Sequence, residues 1–309
     1  MKNKMALIAL IITVMGLLLS GCAKEETPQK LRIGVMSDIG AAPFIIAQEN
    51  GYFESLGLEV ELTVFKSATD RDTAMQTGNL DGAMADMLTI VFYNDAQFDA
   101  KMTSQTYGSY VMVTSPTLKK QEIEALDKVK VGISANTVID FVTDQIAVNG
   151  NIKEKIETVA IPQMPVRLEM LSASELNAAT LPEPLASAAV ISGGEMVNGT
   201  LELGLQPGIF IMTQSAIDEK SESIEKMYEA YNKGVDYLNT EEQASYIQIL
   251  IDQLGFPPSL GESFDFPELS HAQLADEVTF RTALNWMKDR ALTSTDYLFN
   301  DLSTDQFIK

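Results

Sequence analysis

The sequence predicts an α/β fold built as two similar lobes, and three observations predict it. Short, branched strands alternate with helices from residue 31 to residue 181, the order that gives parallel sheets covered by helices on both faces. Two segments 96 residues apart share one pattern: Met75-Gln-Thr-Gly-Asn-Leu80-Asp81-Gly82-Ala83 and Leu171-Ser-Ala-Ser-Glu-Leu176-Asn177-Ala178-Ala179. Each is a helix end, a polar turn, a leucine, an Asp or Asn, and a short apolar strand. Helix-turn-strand units also resemble one another by chance, so this is a weak repeat, the mark of two lobes. From Ser215 onward the pattern is helical, which suits a cap packed back on the first lobe.

Taken in order, the chain opens on Lys2 and Lys4, an apolar run over residues 5–19, and Leu19-Ser20-Gly21-Cys22. This is the charge and hydropathy profile of a secretory signal. The run is shorter than the roughly 20 residues that span a bilayer, although an uncleaved anchor with an incidental cysteine is the alternative. Residues 22–30 are polar, contain Pro28 and read as a tether. The alternation of residues 31–36 predicts a strand and residues 42–50 a helix closed by Gly51 in a left-handed cap. A strand (59–65), a helix (70–76) ending at Gly78 and a short buried strand (82–85) complete the first lobe. The second repeats the order with strand 130–133, helix 138–148, strand 156–161, helix 165–171 and strand 178–181. The chain is expected to cross between lobes near residues 111–116 and 208–213. Helices are then expected over residues 217–238, 242–254 and 272–290, with Phe280, Leu284 and Trp286 in the core. The expected boundaries are signal peptide 1–21, tether 22–30, first lobe 31–114, second lobe 115–209, and a return to the first lobe with C-terminal helices over 210–309.

Composition narrows the function. The net charge of −21 becomes −23 once residues 1–21 are removed, a surface that repels nucleic acid and anionic headgroups. Cys22 is the only cysteine; if it carries lipid, no thiol remains for disulfides, zinc sites or nucleophilic catalysis. His271, the single histidine, is expected on the solvated first turn of the last long helix. No metal, cofactor or catalytic residue is expected, and no pair of acid and base stands at useful spacing.

Three groups of residues carry a resemblance. Gly51-Tyr52-Phe53 with Gly57-Leu58-Glu59-Val60, the run from Arg71 to Ala83, and Leu181-Pro182-Glu183-Pro184-Leu185-Ala186 resemble the substrate-binding lipoproteins of ABC importers. The branch they resemble binds sulfonates, nitrate and thiamine-precursor pyrimidines, and the resemblance covers nearly the whole mature chain. It implies a type II-like periplasmic-binding-protein fold with two hinge crossovers. It also implies lipid on Cys22, an ABC permease and its ATPase as partners, and a monomer anchored outside the cytoplasm. Fungal synthases of the thiamine pyrimidine share that fold but use histidine and cysteine chemistry, so no enzyme activity is expected here.

Ligands of such sheets bind beyond the carboxyl ends of the strands, which selects loops 37–42, 66–69, 85–87, 105–108, 134–137 and 182–184. The candidates are Asp38, Phe44, Ser67, Asp86, Tyr107, Ser134, Asn136, Thr137 and Glu183. Ser134-Ala135-Asn136-Thr137 opens a helix, where free amides hold an acidic or carbonyl group or where Asn136 or Ser134 is simply a cap; both readings stand. Asp86 and Glu183, at corresponding ends of the repeat, are expected on opposite walls, where the resemblance implies that such acids accept from ligand N–H groups. Glu183 serves equally as a fastener of its own loop, and Phe44 as core in place of a stacking ring. Lys66 and Arg71 are the only cations expected nearby. The balance favours an amino-substituted heterocycle such as a thiamine-precursor pyrimidine. An alkanesulfonate, taurine or nitrate is the alternative ligand, and a sensor for a membrane receptor the alternative class.

Overall fold

The computed structural model describes residues 29–308, so the signal segment and Cys22 lie outside the described residues. Two five-stranded sheets make up its frame. The first has the order β2-β1-β3-β10-β4, from β1 (Leu31–Met36), β2 (Val60–Phe65), β3 (Gly82–Asp86), β4 (Ala100–Gln105) and β10 (Gly208–Thr213). The second has the order β7-β6-β8-β5-β9, from β5 (Tyr110–Thr114), β6 (Val129–Ile133), β7 (Ile156–Ala160), β8 (Ala178–Pro182) and β9 (Met196–Gly199). Helices α1 (Ala42–Glu49), α2 (Ala68–Gln76) and α3 (Met87–Asp95) follow strands of the first sheet. Helices α4 (Val138–Asn149), α5 (Met164–Ser172) and α6 (Leu185–Ile191) follow those of the second.

The sheets are not wholly parallel. β10 and β5 each pair antiparallel with both neighbours, β10 with β3 and β4, β5 with β8 and β9. The cause is topological. Four strands of each sheet run toward the space between the lobes, and a chain that has just crossed that space must run away from it.

The crossovers lie elsewhere than expected. Val111 to Thr114 belong to β5 of the second sheet, and Gly208 to Thr213 form β10 of the first. Branched residues there signal buried strands, and the chain changes sheet in the segments just before them, 106–109 and 200–207. The second sheet therefore begins at Tyr110, ahead of the expected boundary at residue 115. The two crossing segments touch. Thr106 N–H donates to the Gly208 carbonyl (3.1 Å), and the Thr200 hydroxyl donates to the Gly108 carbonyl (3.3 Å) while accepting from Tyr110 N–H (3.0 Å). A Cβ on Gly108 would sit 2.6 Å from the Gly208 nitrogen, so only glycine allows this approach.

The internal repeat is carried by register as well as sequence. Gly34 of β1 pairs with Ala83 of β3, as Gly132 of β6 pairs with Ala179 of β8. The Asp81 carboxylate accepts from Arg32 N–H and the Asn177 amide oxygen from Lys130 N–H, both at 2.9 Å. One side chain in each lobe thus pins the turn that leads into the third strand.

The C-terminal third packs as α7 (Ser221–Thr240), α8 (Ile247–Leu254) and α9 (Glu277–Asp289). α7 buries Ile224, Met227, Tyr228, Tyr231, Val235 and Leu238 at helical spacing, and α1 approaches it so closely that Gly234 has the Pro43 carbonyl where a Cβ would lie (2.3 Å). The expected helix 217–238 is broken at Lys220. α9 starts at Glu277 because Asp276 caps it through Thr279 N–H (2.7 Å). His271 therefore precedes the helix, where it meets Asp236 at 2.6 Å. Phe280, Leu284 and Trp286 are buried. No helix among the described residues is long and apolar enough to cross a membrane.

Candidate functional site

Between the two sets of strand ends lies a narrow cavity whose walls come from both sheets. Asp38 follows β1, Asp86 ends β3, Ser134 follows β6 and Pro182 ends β8. Met36, Met84 and Met164 supply soft apolar wall, and Tyr110 enters from the start of β5. The lobes meet directly across it: Ile39 N–H donates to the Glu183 carbonyl and Met164 N–H to the Lys66 carbonyl, both at 3.1 Å.

Asp38 is the exposed end of a chemical argument although its side chain is buried. It closes β1 in extended conformation and caps no helix with its carboxylate, and its Oδ1 has no hydrogen-bond partner among the described residues. Burial pushes its pKa up to about 7, against the pull of the Gly40 and Ala41 amides and of Arg71. A buried oxygen with spare acceptor capacity is suited to a ligand N–H.

Asp86 differs. Its Oδ1 accepts from Leu88 and Thr89 N–H at 3.0 Å each, capping α3, and its Oδ2 stands 4.0 Å from Arg71. Burial raises its pKa while Arg71 opposes. Ser134 and Thr137 line the cavity. The cap of α4 is Thr137, which accepts from Ile139 N–H (3.2 Å) and donates to the Ser134 carbonyl (2.8 Å).

Other expected residues fall outside the cavity. Phe44 is core, stacked on Phe210 at 5.2 Å and tilted against Tyr231 at 4.9 Å, because α1 turns that face to α7. Ser67 caps α2 by accepting from Asp70 N–H. Asn136 adopts φ +56° at an exposed turn and gives its N–H to Asp140. Tyr107 lies on the first crossover and lines a separate hollow with His271 and Glu268. Glu183 is one residue past the position that matches Asp86: β3 and β8 end at Asp86 and Pro182. Its carboxylate accepts from Ser187 N–H (3.0 Å), fixing the start of α6.

Two buried arginines, Arg71 and Arg167, also line the cavity. Arg71 was expected nearby; Arg167 was not. They sit on α2 and α5 at the same 96-residue offset as the repeat, and carrying that alignment four residues back from Met75 and Leu171 would have paired them. Arg71 is saturated. Its Nε and Nη2 donate to Asp72 (2.9 and 2.8 Å), Nη2 also to Thr89 (3.0 Å), and Nη1 to the Met84 carbonyl (3.2 Å). Burial lowers its pKa, but Asp72 and Asp86 outweigh that and hold it above the usual range.

Comparison with known proteins places this geometry. A model of the NMT1-like family matches residues 24–251. The fold is shared with a zinc-bound ligand-binding component of an ABC-type import system from Staphylococcus aureus (TM-score 0.77, 13% identity, 90% of this chain and 98% of that one). It is shared with the periplasmic aliphatic sulphonate-binding protein of Escherichia coli (TM-score 0.75, 14% identity, 89% and 97%). A desulfurization enzyme also has it (TM-score 0.64, 11% identity, 90% and 97%), so the fold alone does not separate binding from catalysis. No curated protein matches the sequence.

Proposed function

Because this chain belongs to the NMT1-like family, we propose that it is an extracytoplasmic solute-binding protein of an ABC importer, holding a small organic molecule between its lobes. The observation that carries this reading is Asp38, a buried carboxylate with a free acceptor oxygen in a cavity walled by both sheets. An acceptor of this kind selects ligands with amino or ring N–H groups, such as an amino-substituted heterocycle of the thiamine-precursor type, and a bound N–H would remove the cost of leaving that oxygen unpaired. Delivery is to a permease and its ATPase, with lipid on Cys22 as the membrane anchor. Catalysis forms no part of this reading.

Calorimetry on the purified protein tests this. Amino-pyrimidines, taurine, alkanesulfonates and nitrate form the panel. Binding by at least one member, weakened about tenfold or more in Asp38→Asn, is expected. A protein that binds none of them, or binds one with Asp38→Asn unchanged, does not use its cleft as described. Cys22→Ser should move the protein from the membrane fraction to the soluble one; retention after a salt wash would remove the anchor from this reading. The alternative ligands, sulfonates and nitrate, are acids, and one residue favours an acid.

A further inference from the structure

We infer that Arg167 is an anion-binding residue of the cleft, so that the ligand carries an acidic group, a sulfonate, phosphate or carboxylate, as well as the N–H donors that suit Asp38. This rests on the solute-binding reading and names the ligand class within it.

The argument is a comparison of two lobes of one molecule. Arg71 and Arg167 occupy the same position of the repeat, both almost wholly buried. Each side-chain partner of Arg71 has a counterpart 96 residues on: Asp72 becomes Leu168, Asp86 becomes Pro182 and Thr89 becomes Leu185. Every polar partner is thus replaced by an apolar residue. Arg167 keeps one bond, from Nη1 to the Ile161 carbonyl (2.7 Å), while Nε and Nη2 have no partner among the described residues.

The Arg167 stem lies over β6, where a Cβ on Gly132 would meet Leu176 Cδ1 at 2.7 Å and Arg167 Cγ at 3.1 Å. Burial pushes the Arg167 pKa down to about 10, with no carboxylate opposing it, and the group stays cationic at neutral pH. A buried guanidinium with two idle donors is costly to the empty protein. A fork of this shape matches the paired oxygens of a carboxylate, sulfonate or phosphate. With Asp38 in the wall from the other sheet, the cavity offers one acceptor and one anion fork, a bipolar site.

The test uses Arg167→Met, which keeps length and apolar volume and removes the charge, with Arg167→Lys as a second variant. The probes are taurine, 2-aminoethylphosphonate, methanesulfonate, an amino-pyrimidine and that pyrimidine's phosphate monoester. In wild type, binding of a probe that has both an acid and an N–H group is expected, falling roughly 100-fold or more in Arg167→Met and less in Arg167→Lys. Without probe, Arg167→Met should melt at or above wild type, because an unpaired buried charge has gone. Three outcomes overturn the proposal: a methionine variant that melts well below wild type, binding of an acidic probe unchanged by the substitution, or a wild type that binds none of the acids. If the neutral amino-pyrimidine binds wild type while none of the acids does, the proposal falls and the solute-binding reading stands. If no probe, neutral or acidic, binds, both fall.

Discussion

Among single residues, Asp38 makes the sharpest thermodynamic statement. Its carboxyl titrates at about 7 in the folded chain against 3.8 as the ordinary value. The folded state therefore holds this proton more tightly than the unfolded one, so its contribution is fully favourable below about pH 4 and is lost as pH rises through 7. The loss amounts to a few kcal/mol at most, since each pKa unit is worth about 1.4 kcal/mol. Asp38→Asn should abolish it: the variant should melt above wild type at about pH 8 and close to it at about pH 4. Thermal melts at the two pH values decide this, and an equal gap at both would assign the effect to something other than ionisation. Tyr110 belongs to the same environment, held well above its ordinary pKa first by burial and then by the charges of Asp38 and Asp86. It remains a protonated phenol throughout that pH range.

At the scale of elements, the strands and helices of both lobes were legible because their period and their glycine stops are local. Gly51 and Gly78 do adopt φ of +68° and +73°, as their place after a helix end requires. What was not legible is pairing. Whether Val111 to Thr114 is a linker or a buried strand depends on Leu181 and Gly199 lying beside it, and a branched run looks the same in either role. The site was read on the same terms. Asp38, Asp86, Ser134 and Thr137, which line the cavity, were expected there from strand ends, whereas Arg167 sits on a helix, and only the packed second sheet turns it toward the cavity. The touching crossovers yield a prediction of their own. Gly108→Ala places a methyl against the backbone of the other crossing segment, which cannot give way as a side chain would. It should cost roughly 1–3 kcal/mol or more in urea unfolding, and an unchanged midpoint would mean that the two segments are not in contact in solution.

For the whole molecule, the acidic surface and the bipolar cavity divide the electrostatics between them. The net charge of −21 keeps the protein soluble and repels anions at long range. A ligand acid must therefore be won at short range by a desolvated guanidinium, where screening is weak. The closing contacts have a further consequence, in time instead of energy. Ile39 and Met164 give their amide protons to carbonyls on the facing lobe, so these two protons are shielded only while the lobes are shut. If the lobes part in solution, exchange of these protons in deuterated water is a clock for the fraction of time spent open. The clock needs no label and no substitution. A bound ligand should slow Ile39 and Met164 by the same factor, because one rigid-body movement frees both, and should leave strand amides such as those of β1 and β6 at their former rates. Two unequal factors would mean that the cleft opens at one lip at a time.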